Sequence, residues 1–198
     1  MRVKRIITLA AAMVCITPAV RAVHVWSDPS GWWDGHFAYD INAPRYTGQE
    51  LSMDLFGSYL SHENNFSDLF ETDIDHGFWG GGVGINYFFT PVLGLGGDFN
   101  ISAKPGDSNL PLFDHGVGSL ILRLPLGNSG VAPYILGSGG RAIGGGPVPW
   151  QWIYGGGVGL EYRWNPVTGV FTDARFLWAE KGTVYNRLVI RAGLRLIF

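Results

Sequence analysis

The chain has 198 residues, 46% hydrophobic and only 15% charged, with 30 Gly, 8 Trp, 8 Tyr, 12 Phe, one Cys, and 14 Lys+Arg against 16 Asp+Glu. Average chains are about 25% charged and about 7% Gly, so this one is charge-poor and Gly-rich. The aromatic content excludes a disordered chain, the lack of a basic surplus argues against nucleic acid as a partner, and after residue 22 no apolar window is long enough for a transmembrane helix.

Residues 1–22 have the layout of a secretory signal peptide. Arg2, Lys4 and Arg5 precede an apolar run from Ile6 to Ile16, followed by Pro18 and Val20-Arg21-Ala22. The lone Cys15 lies inside that run, where Ala12-Met13-Val14 is a poor approach to a lipoprotein cysteine. Cleavage after Ala22 removes it, so the exported chain has no disulfide. Loss of Arg2, Lys4, Arg5 and Arg21 takes the 14 basic residues to 10 against 16 acidic ones, a formal charge of −6. Residues 23–49 interleave Trp26, Trp32, Trp33, Phe37 and Tyr39 with Asp28, Asp34 and Asp40, and Pro29 and Pro44 break them up. They read as an extended arm at a membrane interface, with a plug entering a barrel as the alternative.

From residue 50 the apolar period is two. Leu51, Met53, Leu55 and Tyr59 alternate with Glu50, Ser52, Asp54 and Ser58. Trp79, Val83, Ile85, Tyr87 and Phe89 alternate with Phe78, Gly80, Gly82, Gly84, Asn86 and Phe88; Leu93, Leu95, Phe99 and Ile101 alternate with Gly94, Gly96, Asp98 and Asn100. A fourth run sets Leu120, Leu122, Leu124 and Leu126 against Ser119, Ile121, Arg123 and Pro125. Val131–Gly140 has strand length but no clear face, because Pro133, Gly137, Gly139 and Gly140 blur it. The sixth run, Gln151–Trp164, is the clearest: Trp152, Tyr154, Val158, Leu160, Tyr162 and Trp164 on one side, Gln151, Ile153, three glycines, Glu161 and Arg163 on the other. Val170, Ala174, Phe176 and Trp178 then alternate with Phe171, Asp173 and Arg175, and the last run alternates Leu188, Ile190, Leu194, Leu196 and Phe198 with Arg187, Val189, Arg191 and Arg195. Thr90-Pro91, Gly127–Gly130 and Asn165-Pro166 make short turns; residues 60–75, 104–113, 142–150 and 180–184 are the other, mostly longer, connections. Eight such strands form an all-β, antiparallel, up-and-down barrel over residues 50–198.

Alternation does not distinguish inside from outside, so the chemistry of the two faces has to. Trp79, Tyr87, Trp152, Tyr154, Tyr162, Trp164 and Trp178 lie near the ends of the apolar face, as in the aromatic girdle of a lipid-facing wall. The other face carries Glu50, Asp54, Asp98, Glu161 and Asp173 against Arg123, Arg163, Arg175, Arg187, Arg191 and Arg195, and no Lys. Arginine suits buried bidentate pairing, and near-balanced charge suits a closed lumen. Runs of about 10–13 residues match a tilted crossing of the hydrocarbon core. The apolar face is therefore expected outward, in a membrane, rather than inward as in a soluble barrel or sandwich.

These stretches, chiefly Gly80–Thr90, Leu93–Asp98, Ala132–Gly137, Gly157–Tyr162 and Arg195–Phe198, resemble the small outer-membrane β-barrel family of Gram-negative bacteria, the porin-like group that includes the transmembrane domain of outer membrane protein A and opacity-like proteins. The resemblance covers residues 50–198. It implies an outer-membrane location, a monomer, contact with outer-membrane lipid and lipopolysaccharide, and the barrel-assembly machinery as a partner reading the C-terminal signal Leu194, Leu196 and Phe198. The peptidoglycan-binding domain of longer members is absent from these residues.

Candidate chemistry is sparse. An eight-stranded barrel has a lumen just wide enough for side chains to fill, so the charged face is expected to form a salt-bridged plug; a narrow ion path lined by Arg187, Arg191 and Arg195 is the alternative. A lipid A- or phospholipid-modifying enzyme is the third, resting on His62 and His115, yet no nucleophile–base set is formed by neighbours, since adjacent strand residues point to opposite faces. No catalytic residues, cofactor or metal site is expected, although Glu63, Asp68, Glu71, Asp73 and Asp75 in one loop have the oxygen chemistry for a divalent cation.

Overall fold

The computed structural model describes residues 44–62, 78–103, 112–142, 151–180 and 186–198. These form eight strands: β1 (Glu50–His62), β2 (Phe78–Phe88), β3 (Leu93–Ala103), β4 (Leu112–Arg123), β5 (Val131–Ala142), β6 (Gln151–Arg163), β7 (Thr168–Ala179) and β8 (Arg187–Ile197). Each pairs antiparallel with its neighbours in sequence, and β8 closes on β1 through pairs running from Ser52↔Ile197 to His62↔Arg187. Closure leaves no strand edge open.

Three short connections share one end of the barrel with the start of β1 and the end of β8, and their local chemistry fits tight turns. The Thr90 hydroxyl accepts hydrogen bonds from the backbone N–H of Val92 (3.2 Å) and Leu93 (2.9 Å). The Asn165 side chain likewise accepts from Val167 N–H (2.9 Å) and Thr168 N–H (2.7 Å). Between β4 and β5, Gly127 and Gly130 adopt φ of 57° and 77°, values that glycine reaches without a Cβ clash.

Burial alternates along the strands as expected from the period. The fifth run, which has no readable face in sequence, does alternate once paired: Ala132, Tyr134, Leu136 and Ser138 are buried, and Ile135, Gly137 and Gly139 face out. The fourth strand begins at Leu112, well before the periodic stretch from Ser119, and the β3–β4 register shifts at Asn100/Ile101. Gly116 and Gly118 supply no apolar mark on its outer face, so the sequence shows no alternation there.

The wall is inverted relative to a soluble protein. Leu55, Ile85, Phe99, Leu120, Ile135, Val158, Leu194 and other large apolar side chains are exposed on the outside, while all eleven ionisable residues of the alternate face are buried in the lumen.

Candidate functional site

The lumen is built from the short-turn end upward in three zones. In the first, Glu50, Asp54 and Glu161 meet Arg123, Arg163 and Arg195. Arg123 Nη1 lies 3.0 Å from Glu50 Oε1 and 3.5 Å from Glu161 Oε2. Arg163 donates to both Glu50 oxygens, at 2.5 and 2.9 Å, and to Glu161. Arg195 grips Asp54 with two parallel bonds of 2.7 Å and reaches Glu161 at 2.5 Å. Three acids and three arginines neutralise one another. Planar guanidiniums make this possible, because each presents several donors in a fixed fork.

A second neutral set sits farther in. Asp173 accepts from Arg191 at 2.9 and 2.7 Å, from Arg175 at 3.2 Å and from the Tyr134 hydroxyl at 2.9 Å. Asp98 lies 2.8 Å from Arg175 and 3.1 Å from Arg191. Phe171 stands between the two sets, with Arg191 and Arg195 over its ring at 5.5 and 4.9 Å, and Phe56 meets it edge-on. Arg187, the sixth arginine, is buried near the start of β8.

Bare backbone makes room for these bulky groups. A Cβ on Gly94 would come within 2.6 Å of the Phe88 ring, and one on Gly157 within 2.9 Å of Arg175 Cγ. Tyr134 lies over Gly159 and Phe56 over Gly82 in the same way.

Toward the long-loop end the lumen becomes apolar. Leu60, Val117, Ala142, Ile153, Leu177 and Val189, contributed by six strands, form one buried cluster with Phe78 and Ala179 packed against it. Below it come short hydroxyl and amide contacts, Ser58 to Asn100 (2.6 Å) and Ser119 to Ser138 (2.7 Å). His115 is buried in the lumen, across from Asn100 on β3 and Ala142 on β5.

At the opposite end a strap crosses the mouth. Tyr46 is buried; its hydroxyl donates to Gly130 O at 2.6 Å, and its ring lies 4.7 and 4.4 Å from the Arg123 and Arg163 guanidiniums. Arg45 donates to Asn128 O (3.2 Å), and its own carbonyl accepts from Arg163 (2.6 Å). A Cβ on Gly48 would press on Phe89 O at 2.9 Å, and Gln49 takes φ of 58° to lead into β1. Phe88 covers the other side of Arg123 at 3.7 Å. Burial away from water raises the Tyr46 phenol above its ordinary value, with Glu161 adding to the rise.

All seven girdle aromatics face out and are exposed: Trp79, Trp152, Tyr154 and Trp178 toward the long-loop end, Tyr87, Tyr162 and Trp164 toward the short turns. Leu194, Leu196 and Phe198 face out on and just after β8. The acidic loop Glu63, Asp68, Glu71, Asp73 and Asp75, and residues 1–43, lie outside the described residues. Among the described residues no three His, Cys, Asp or Glu side chains come together as metal ligands.

Sequence reasoning did not single out Tyr46, the place of Phe171 between the two charge sets, or the apolar cluster. A signal for the last existed: Ile153 and Val189 stand on the charged face of their own runs, both near the long-loop end.

No family model matches the chain, and no curated protein does. Solved structures do match. The N-terminal β-barrel domain of Pseudomonas aeruginosa OprF is 15% identical, with 77% of this chain and 99% of that chain covered and a TM-score of 0.48. Neisserial surface protein A is 15% identical over 75% of this chain and 96% of its own, TM-score 0.46. The attachment invasion locus protein Ail of Yersinia pestis is 15% identical over 76% and 99%, TM-score 0.45. The chain resembles the small eight-stranded outer-membrane barrels. What establishes its fold is the closed ladder of eight strands described above.

Proposed function

We propose that the protein is an outer-membrane β-barrel whose lumen is a sealed structural plug, leaving its work to the surfaces it presents at the long-loop end. The observation that carries this is the inverted wall: large apolar side chains outside, and five acids and five arginines interlocked inside. Lipid is the environment in which such a wall is stable, since bare apolar patches of this extent do not persist in water. The short turns face the periplasm in this arrangement, and Leu194, Leu196 and Phe198 serve the assembly machinery. Closure of β8 on β1 completes the barrel within one chain, which is compatible with a monomer. An exterior of this kind contacts outer-membrane lipid and lipopolysaccharide directly.

The pore reading has less support. The path is interrupted twice, by the Tyr46 strap with its arginines and by the Leu60/Leu177/Val189 cluster. Planar-bilayer recording tests it, using refolded chain whose gel mobility changes on boiling. A silent bilayer is expected, from the native chain and from Tyr46→Ala alike, because the apolar cluster remains. Discrete openings from the native chain would overturn the sealed-plug reading and make Arg191 and Arg195 the residues to mutate. Recovery of the chain as a soluble periplasmic protein would overturn the barrel's membrane placement.

A further inference from the structure

Among the described side chains, the outward positions of the eight strands are apolar, aromatic, small or hydroxyl-bearing with one exception, Arg141, the penultimate residue of β5. Its guanidinium Cζ lies 4.6 Å from the centre of the Trp152 ring, its cross-strand partner. That ring occupies one face of the cation and none of its five N–H donors. A charge on a lipid-facing wall costs about 2–4 kcal/mol at mid-bilayer but little near the interface. Arg141 sits at the rim, beside the stacked Tyr154–Trp178 pair, the depth at which phosphates lie.

The wall beneath it is unusual as well. Gly116 pairs with Arg141 across β4–β5, Gly139 follows on β5 with Gly118 opposite, and Gly137 continues to Gly156 on β6. Nothing stands within 4 Å of where a Cβ at Gly137 or Gly139 would be. These residues leave a trough one side chain deep, running from the guanidinium toward the middle of the barrel wall, with Phe99, Leu120 and Tyr154 along it.

We propose that Arg141 and this trough bind a phosphate-bearing membrane lipid, its phosphate paired with the guanidinium and an acyl chain in the trough. This rests on the membrane reading above. Charge complementarity selects the headgroup: a cation that is the one charge on this outer face among the described side chains, and that is stacked on one face, pairs with an anionic phosphate rather than a zwitterionic surface. The trough selects a lipid over free phosphate, since only an acyl chain uses it.

The test is spin-label electron paramagnetic resonance on the full chain refolded into phosphatidylcholine vesicles doped with nitroxide-labelled phosphatidic acid or phosphatidylcholine. The motionally restricted fraction is expected to favour phosphatidic acid by roughly three- to fivefold. Arg141→Gln should bring the preference close to parity, and Gly139→Leu, which fills the trough and leaves the guanidinium, should lower it by about half. Equal association of both lipids with the native chain, or a preference that survives Arg141→Gln, would overturn the site. Loss of the preference to inorganic phosphate but not to chloride of equal ionic strength would assign the cation to free phosphate and overturn the lipid. A chain that stays outside the vesicles overturns the membrane reading itself, an outcome distinct from an inserted barrel without preference.

Discussion

The two ends of the lumen are closed by opposite means. At the short-turn end the seal is ionic and directional: Glu161 alone contacts Arg123 on β4, Arg163 on its own strand and Arg195 on β8, so its geometry depends on two other strands. At the long-loop end the seal is apolar and non-directional, with Leu60, Ile153, Leu177 and Val189 in simple contact. An ionic seal tolerates no missing partner, because a buried charge left alone cannot regain its hydration. An apolar seal tolerates a change of shape, provided volume is kept. The difference teaches where the barrel is brittle and where it is forgiving.

The largest effect is therefore expected from Glu161→Ala, which leaves the three buried guanidiniums sharing only Glu50 and Asp54, one charge unbalanced, and should cost about 3–5 kcal/mol, read as a lower urea midpoint of the refolded barrel. Leu177→Ala removes a fully buried side chain from the other seal and should cost about 2–4 kcal/mol, whereas Leu177→Met should cost under about 1.5 kcal/mol. If Glu161→Gln proves as mild as Leu177→Met, the contrast between the ends is lost. Gly159→Ala places a methyl against the Tyr134 ring and is expected to cost about 1–3 kcal/mol. Paired with Tyr134→Ala, it should cost less than the sum of the single changes. Tyr46→Phe, which keeps the ring between its arginines and loses the hydroxyl's bond to Gly130 O with its longer contact to Glu161 O, should cost about 1 kcal/mol.

The strap also carries a pH signature. The Tyr46 phenol has a raised pKa in the folded chain and an ordinary one, about 10, when unfolded. Its contribution is complete below about pH 10 and falls as the pH rises beyond that, because the unfolded chain then releases the proton first. Tyr46→Phe should flatten the part of the alkaline decline that this phenol causes; an unchanged decline would mean that Tyr46 is not held in the mouth.

Much of the fold is legible in the alternation. The β6 and β8 runs mark both faces, since lipid and lumen demand opposite chemistry at successive residues. The β4 start and the β5 face are not legible, because Gly116, Gly118, Gly137 and Gly139 have no side chain to report which way they point. The charge balance of the lumen is visible in the sequence too, but not its partners. Arg195 and Asp54 are 141 positions apart and meet only because β8 closes on β1.

The sequence by itself determined the strand period, the inside and outside of the wall and the near-neutral sum of lumenal charge, since each depends on residue type at local spacing. Only the tertiary structure decided that ten of the eleven lumenal charges divide into two neutral sets, that an apolar cluster closes the far end, and that Tyr46 caps the near one. Those outcomes depend on which strands are staggered against which, and stagger is a property of the closed barrel rather than of any strand alone.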